Sequence, residues 1–365
     1  MTEHLDFSLA LHHQLAPESR RSFAWSPYSV ASALGLAGEA AGGDTRAELL
    51  DVLGAADPAA ARAALSPAAE LPAGGSAEAP VLAVANTLWA HEELPLHEEF
   101  LRELARWPGA AARTAPFRTD PDGARRLINA DVAETTRQLI PELLEPGTVD
   151  PETVAALVNA LYLKVSWREA FDRHRTADLA FHAPAGERAV PTMTATRRTG
   201  YAAAEGWQAV VLPAAGGAEA VVLLPDADLA TAEPQLGAAE LTGLLARIDD
   251  QRVELFLPRF EVTSDAELTA SLGALGVRRL FTPAADFSPL TDAALKISTI
   301  VHQAVLRVDE SGLEGAAATA AMMRLTAIVR EPDPITVRVD RPFLFLVRHR
   351  ESGAVYFLAR VVDPS

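Results

Sequence analysis

A chain of 365 residues, 49% of them hydrophobic, can bury a sizeable core as one large domain or as two ordinary ones. Its formal net charge of −17 and pI near 5.0 repel phosphate backbones, which argues against nucleic acid, heparin-like polyanions and acidic membranes as partners. It contains no cysteine, so disulfides, thiolate metal sites and a cysteine nucleophile are excluded.

The opening MTEHLDFSLALHHQL carries early acidic residues and two histidines, and lacks the basic start and continuous apolar run of a signal peptide. No later window approaches a membrane-spanning length. Helices are predicted over Leu5–Leu15, Ser26–Leu36 and Thr45–Leu53. Ser26 followed by Pro27 suits an N-cap, Thr45 with Glu48 suits a capping box, and Gly54 ends the third helix. Residues 55–79, rich in Ala, Pro and Gly, predict a short helix and an exposed loop. Val81–Trp89 is strand-like, and Leu127–Leu144 predicts an amphipathic helix burying Ile128, Val132, Leu139, Ile140 and Leu143. Strands then dominate: Val154–Lys164, Ala209–Leu212, Val221–Leu224, Val253–Val262, Ile297–Val308, Ile335–Val339, Phe343–Val347 and Val355–Val361. Helices followed by strands predict an α+β fold with large, mostly antiparallel sheets. No repeat or linker divides the chain, so residues 1–365 read as a single domain.

Catalytic patterns are missing. There is no Gly-x-Ser-x-Gly elbow, no phosphate loop ending in Gly-Lys and no Gly-x-Gly-x-x-Gly. HEELPLHEEF, from His91, imitates a zinc motif, but His91 and His97 are too far apart and Pro95 breaks the required helix. His302 shares a strand face with Ile300, Ala304 and Leu306, which predicts a core histidine satisfied by hydrogen bonds. Neither a metal nor a cofactor is expected, and an enzyme has no supporting constellation.

The informative stretch is VDESGLEGAAATAAMMRLTAIVREPDP, Val308 to Pro334. It lacks both the bulky residues of a core strand and the period of a helix. Small uncharged side chains suit a loop that later slides between two strands of a formed sheet. On alternating faces, Leu313, Gly315, Ala317, Thr319 and Ala321 share one side, while Glu314, Ala316, Ala318 and Ala320 share the other. Inserting about a dozen residues would add two ladders, worth on the order of 10 kcal/mol at roughly 1 kcal/mol per hydrogen bond. Such a molecule is folded yet metastable until the loop is cut.

This run resembles the hinge of the serpin family, and four further segments resemble serpin motifs in the same order. They are WSPYSVASALGLAGEAAGGDTRAEL, LINADVAETTRQLIPELL, VNALYLKVSWREAF and DRPFLFLVRHRESGAVYFLARVVDP. The resemblance spans nearly the whole chain and implies a suicide inhibitor of serine proteases, monomeric, with a reactive-centre loop at about 310–334. It also implies roles. Ser26, Ser29, Asn159 and His302 match the polar cluster where the main sheet opens. Trp167 matches the tryptophan at the sheet top, and Glu310 with Arg259 matches the acid–base pair at the loop base, expected as an exposed pair that fixes exit geometry. Glu310, Gly312, Leu313, Glu314, Gly315, Ala316, Ala317, Ala318 and Thr319 match the hinge.

Two departures concern insertion. Leu313 stands where the family usually has Thr, with overpacking costing ~1–3 kcal/mol. Gly315 replaces Ala, at ~0.5–1 kcal/mol of strand order. The family spacing from Glu310 reaches Thr326, giving Thr326–Ala327 as the scissile bond; counting back from Pro342 gives Arg330–Glu331, and Arg324–Leu325 is a third choice. Thr326 suits an elastase-like or subtilisin-like protease, either arginine a trypsin-like one. The rival reading is a non-inhibitory member, a binding or chaperone-like protein whose loop is cleaved as a substrate. Lys164 and Lys296 are the sole lysines amid abundant Ala and Arg, which points to a GC-rich bacterial genome. Family members are commonly extracellular, whereas the opening residues suit a cytoplasmic protein, so the compartment stays open.

Overall fold

The computed structural model describes residues 2–16, 20–73, 79–151, 153, 155–293, 295, 297, 300–313 and 332–364. Helix α1 (Thr2–Leu15) leads through strand β1 (Phe23–Trp25) to α2 (Pro27–Ala40), α3 (Gly43–Leu53) and α4 (Pro58–Leu65). Ser26 caps α2 as expected, its Oγ accepting the Ser29 N–H at 3.1 Å. The capping box does not form. α3 starts after Gly42, and Thr45 Oγ1 instead accepts the Asp286 N–H at 3.0 Å while Glu48 Oε2 accepts the amides of Arg278 and Arg279 at 2.8 Å. Those side chains tie α3 to a distant loop, and tertiary partners outcompeted the local cap.

Next come β2 (Val81–His91), α5 (Glu98–Leu104), β3 (Ala110–Ala115) and α6 (Pro121–Thr135). α6 differs from the predicted Leu127–Leu144. It begins earlier, where the Asp120 carboxylate accepts the Gly123 N–H at 2.8 Å and Pro121 opens the first turn. It ends earlier because Arg137 (φ 50°) and Gln138 (φ 66°) are left-handed. Ile140 and Leu143 are nevertheless buried, now in an irregular strap. Their apolar spacing therefore reported burial and not helix.

The remainder is β4 (Ala155–Ser166), β5 (Ala177–Ala183), β6 (Gly186–Ala204), β7 (Trp207–Pro213), β8 (Ala218–Pro225), α7 (Leu229–Ala232), α8 (Ala238–Ala246), β9 (Asp249–Pro258), β10 (Phe260–Glu267), α9 (Thr269–Ala274), β11 (Val301–Val308), β12 (Gly312–Leu313), β13 (Ile335–Arg338), β14 (Phe343–His349) and β15 (Val355–Val361). The apolar run Val253–Val262 is two strands, β9 and β10, which part at Pro258–Arg259 and enter different sheets. β5 and β6 escape sequence reading because Thr, Arg and Ala dilute their apolar alternation.

Two sheets result. One has nine strands in the order β1-β15-β14-β8-β7-β6-β9-β13, with β5 hung on β6; the other has six, β10-β11-β12-β4-β2-β3. Pairing is mostly antiparallel, as expected, with β2–β3 and β13–β9 parallel. β4 is central, and its residues alternate between two cores. Leu157, Leu161, Leu163 and Val165 face the main core around the almost wholly buried α2, while Val158 and Ala160 face a second core beneath α6. A strand covered on both sides reads as a continuous apolar run, which is why VNALYLKV was legible.

A buried polar chain fastens the N-terminal helix to the C-terminal strand. Trp25 Nε1 donates to His12 Nδ1 (3.1 Å), which places the His12 proton on Nε2, bonded to Glu233 at 2.7 Å. The other Glu233 oxygen accepts from Arg360 Nε at 2.6 Å. Burial keeps His12 neutral by lowering its pKa, despite the opposing pull of Glu233. Glu233→Ala takes away the carboxylate that faces the buried Arg360 guanidinium and leaves it the Ala16 carbonyl at 2.8 Å, so its expected cost is about 3–5 kcal/mol, read as a lowered denaturation midpoint at pH 7.

Candidate functional site

The site is the seam between β4 and β11 in the six-stranded sheet. At its upper end β12 sits between them: Gly312 and Leu313 pair with Ser166 and Val165 of β4, and Leu313 pairs with Val308 of β11. Gly312 is obligatory there. Its φ is 157°, and a Cβ would lie 2.1 Å from the Val165 carbonyl oxygen. Leu313, the departure from the usual threonine, is buried in the main core.

Just before β12, residues 309–311 are pinned. Trp167 Nε1 donates to the Asp309 carbonyl (2.9 Å), the Trp167 N–H to the Ser311 carbonyl (2.9 Å) and the Phe171 N–H to the Glu310 carbonyl (2.9 Å). The Asp309 carboxylate accepts the amides of Ser311 (2.7 Å) and Gly312 (3.2 Å), closing a tight turn. Arg173 Nη2 adds a 3.1 Å bond to Ser311 Oγ.

Glu310 is not the exposed partner expected. The residue is 2% exposed, and its Oε1 accepts from Arg259 Nε (2.6 Å) and Nη2 and from the Thr176 hydroxyl (2.5 Å). Burial would raise its pKa, but the guanidinium and hydroxyl prevail and hold it below the usual carboxylate range. The carboxylate reaches inward because the backbone on both sides is already bonded to Trp167 and Phe171.

Mid-seam, on the main-core face, the four cluster residues meet. The Ser26 N–H donates to His302 Nε2 at 3.0 Å, Ser26 Oγ caps Ser29, and the Ser29 hydroxyl donates to Asn159 Oδ1. Asn159 Nδ2 then donates to Asn86 Oδ1, and Asn86 Nδ2 to Ser32 Oγ at 2.8 Å. The chain of bonds thus runs from β11 through α2 to β4 and β2. Asn86 and Ser32 were missed in the sequence, although a lone amide in the strand run VLAVANTLW was a usable signal.

His302 is only half satisfied, contrary to expectation: its buried Nδ1 has no hydrogen-bond partner among the described residues. Because Nε2 accepts from Ser26, Nδ1 carries the proton of the neutral ring. Burial, with no offsetting carboxylate, pushes its pKa down to about 4.

A family model described as Serpin (serine protease inhibitor) matches residues 2–364. The chain is a serpin. It is 30% identical to an uncharacterized serpin-like protein of Thermococcus kodakarensis, over 98% of this chain and 84% of the relative. It is 34% identical to a leukocyte elastase inhibitor of Bos taurus, over 93% of this chain and 92% of that protein. The solved structure of uncleaved ovalbumin superposes with a TM-score of 0.84 at 25% identity, covering 100% of this chain and 99% of that one. The family holds inhibitors and also non-inhibitory members such as ovalbumin.

In this serpin, Glu310, Gly312, Leu313, Trp167 and Arg259 gather at the top of the seam, and Ser26, Ser29, Asn159 and His302 at its middle. Glu314, Gly315, Ala316, Ala317, Ala318 and Thr319, and every candidate for the cleaved bond (Arg324, Leu325, Thr326, Ala327, Arg330 and Glu331), lie outside the described residues.

Gly312→Ala drives a methyl into the Val165 carbonyl, with an expected loss of about 2 kcal/mol and faster hydrogen exchange at the Leu313 amide. His302 predicts acid sensitivity. Its native pKa lies below the unfolded value of about 6.5, so between there and pH 4 the unfolded chain binds a proton that the native state refuses. The stability it contributes is complete above pH 6.5 and falls by about 3 kcal/mol on acidification to pH 4. His4, half-buried and pushed by desolvation down to about 4, adds to the slope, so in denaturation midpoints measured across this range His302→Gln is expected to flatten the profile in part.

Proposed function

We propose that this serpin is a suicide inhibitor of serine proteases whose loop, once cut, enters the β4–β11 seam as a strand. The observation that carries the reading is β12: Leu313 already pairs with both neighbours and Gly312 with β4, antiparallel to each. Continuing both registers residue by residue brings Thr319 opposite Asn159 and His302 together. Leu313, Gly315, Ala317 and Thr319 would share the main-core face, and the Thr319 hydroxyl would come to the half-satisfied His302. On the other face Glu314 would fall opposite Lys164 and Arg307, where its charge is compensated. Small residues inward, with the sole acid set between two bases, are what a strand entering a formed sheet requires.

The chemistry belongs to the protease. Its serine oxygen bonds to the carbonyl carbon of the scissile residue, the peptide C–N bond breaks, and the amine leaves with a proton, giving an ester-linked acyl-enzyme. The serpin's part is mechanical. The severed hinge zips down the seam, and each added ladder bond offsets the cost of displacing the attached protease before water attacks the ester. Glu310, held by Arg259 and Thr176, makes a fixed hinge from which the strand swings.

Mixing the protein with trypsin, elastase and subtilisin and resolving the products on denaturing gels tests this. The expected result is a covalent complex with at least one of them, and mass spectrometry of the released C-terminal peptide identifies the bond: Thr326–Ala327, Arg324–Leu325 or Arg330–Glu331. Thr319→Arg, which puts a charge into the main-core face, is expected to convert inhibitor to substrate with cleavage intact. Clean cleavage of the parent protein without complex, and no rise in melting temperature on nicking, would instead make it a non-inhibitory member.

A further inference from the structure

A cavity of about 410 Å³ lies where the start of α1, the end of α3, one face of α4 and the β14–β15 turn meet. Its shape follows from local sequence. Gly54 closes α3 in a left-handed turn (φ 63°), and a Cβ there would lie 2.9 Å from the Glu3 Cβ, so glycine lets α1 and α3 meet at this end. The Asp57 carboxylate then caps α4 by accepting the Ala60 N–H at 2.7 Å. Ala60, Ala63, Ala64 and Pro67 recur at helical spacing, so α4 and the turn after it present small side chains on one face. Longer residues would fill the space that they leave.

The walls are apolar apart from Glu3, His4 and Ser352. Ser352 is already committed: its hydroxyl donates to His349 Nδ1 (2.9 Å) and accepts the Ala354 N–H (3.3 Å). His4 is not. Its Nε2 accepts the Val355 N–H at 3.0 Å, which leaves the proton on Nδ1, and that N–H has no acceptor among the described residues. Desolvation holds the His4 pKa at about 4, so the ring is a neutral donor at neutral pH. Glu3 stands exposed and ionised at the rim, its pKa lowered chiefly by its own backbone N–H. The only basic residue of α4, Arg62, is turned to Glu39 at 3.1 Å and does not border the cavity.

We propose that this cavity binds a neutral, largely apolar small molecule with one hydrogen-bond acceptor, such as a ketone, ester or lactone. Cavities that take small molecules span roughly 300–1,000 Å³ and combine apolar walls with a few placed polar groups. This one has that size, one available donor in His4 and no cation on its walls. The alanines with Leu53, Leu65 and Pro67 cover the apolar body, the Nδ1–H of His4 takes the acceptor, and Glu3 turns carboxylates and phosphates away. Ala60, Ala63 and Ala64 are exposed, so one flank of the ligand stays open to water and entry requires no rearrangement. The site is independent of loop insertion, and protease trapping and ligand binding stand or fall separately.

The full chain is titrated with Prodan, a neutral naphthyl ketone whose emission shifts to the blue on leaving water. Saturable binding of a single probe is expected, with a dissociation constant on the order of 10 μM. Octyl methyl ketone is expected to displace the probe, and decanoate, the carboxylate of equal length, to need at least about tenfold more. Two variants locate the site. Ala64→Trp places an indole across the mouth and is expected to abolish binding. His4→Phe keeps a ring but removes the donor, and is expected to weaken Prodan about fivefold, the worth of one net hydrogen bond. Naphthalene, which has no acceptor, should keep its affinity for that variant, whereas a merely structural role for His4 would weaken both ligands alike. The proposal is overturned by an absence of saturable Prodan binding to the parent, by unchanged binding in Ala64→Trp, by decanoate competing as well as the ketone, or by equal effects of His4→Phe on Prodan and naphthalene. If His4→Phe fails to fold, Ala64→Trp and the comparison of ketone with carboxylate decide.

Discussion

The line of hydrogen bonds from His302 through Ser26, Ser29 and Asn159 to Asn86 is the joint on which the molecule depends. It spans both margins of the seam through the N-terminus of α2, so the two halves of the six-stranded sheet are held by side chains as well as by backbone ladders. Buried amides and hydroxyls are costly if left unpaired. A sheet held in this way keeps a defined closed arrangement. His302 Nδ1, buried without a partner among the described residues, is the visible incompleteness of the closed arrangement.

The rest of the architecture isolates that joint. Above it, the buried Glu310 carboxylate and the Asp309 turn fix the backbone that leads into β12, and Gly312 lets that backbone pass within touching distance of β4. On the outer face, α6 and its strap bind the seam's margins into a second core. On the inner face, α2 and the nine-stranded sheet form the main core, closed at the chain's ends by His12, Glu233 and Arg360.

Acid sensitivity follows from the same design. His12 and His302 are buried and His4 is half-buried, and desolvation lowers the pKa of each. All three bridge the N-terminal helical region to strands or to the segments packed on them: His4 accepts the Val355 N–H, His12 binds Glu233, and His302 accepts the Ser26 N–H. Protonation would thus strain one interface at several points.

The α+β class, the helical start, the central strand VNALYLKV and the family itself were legible from local periodicity and from motif order, because those features depend on residues near one another in sequence. Ser26, Ser29, Asn159 and His302 were legible only as matches to a family pattern; nothing local says that they touch. What the tertiary structure decided was wherever a distant partner prevailed over a near one. Thr45 and Glu48 left their capping box for a loop far along the chain, and α6 stopped at Thr135 although the apolar spacing ran on. β9 and β10 parted into separate sheets, and Glu310 turned inward to Arg259. Local patterning reports which side chains seek burial, whereas the identity of the surface that buries them is a property of the whole packed chain.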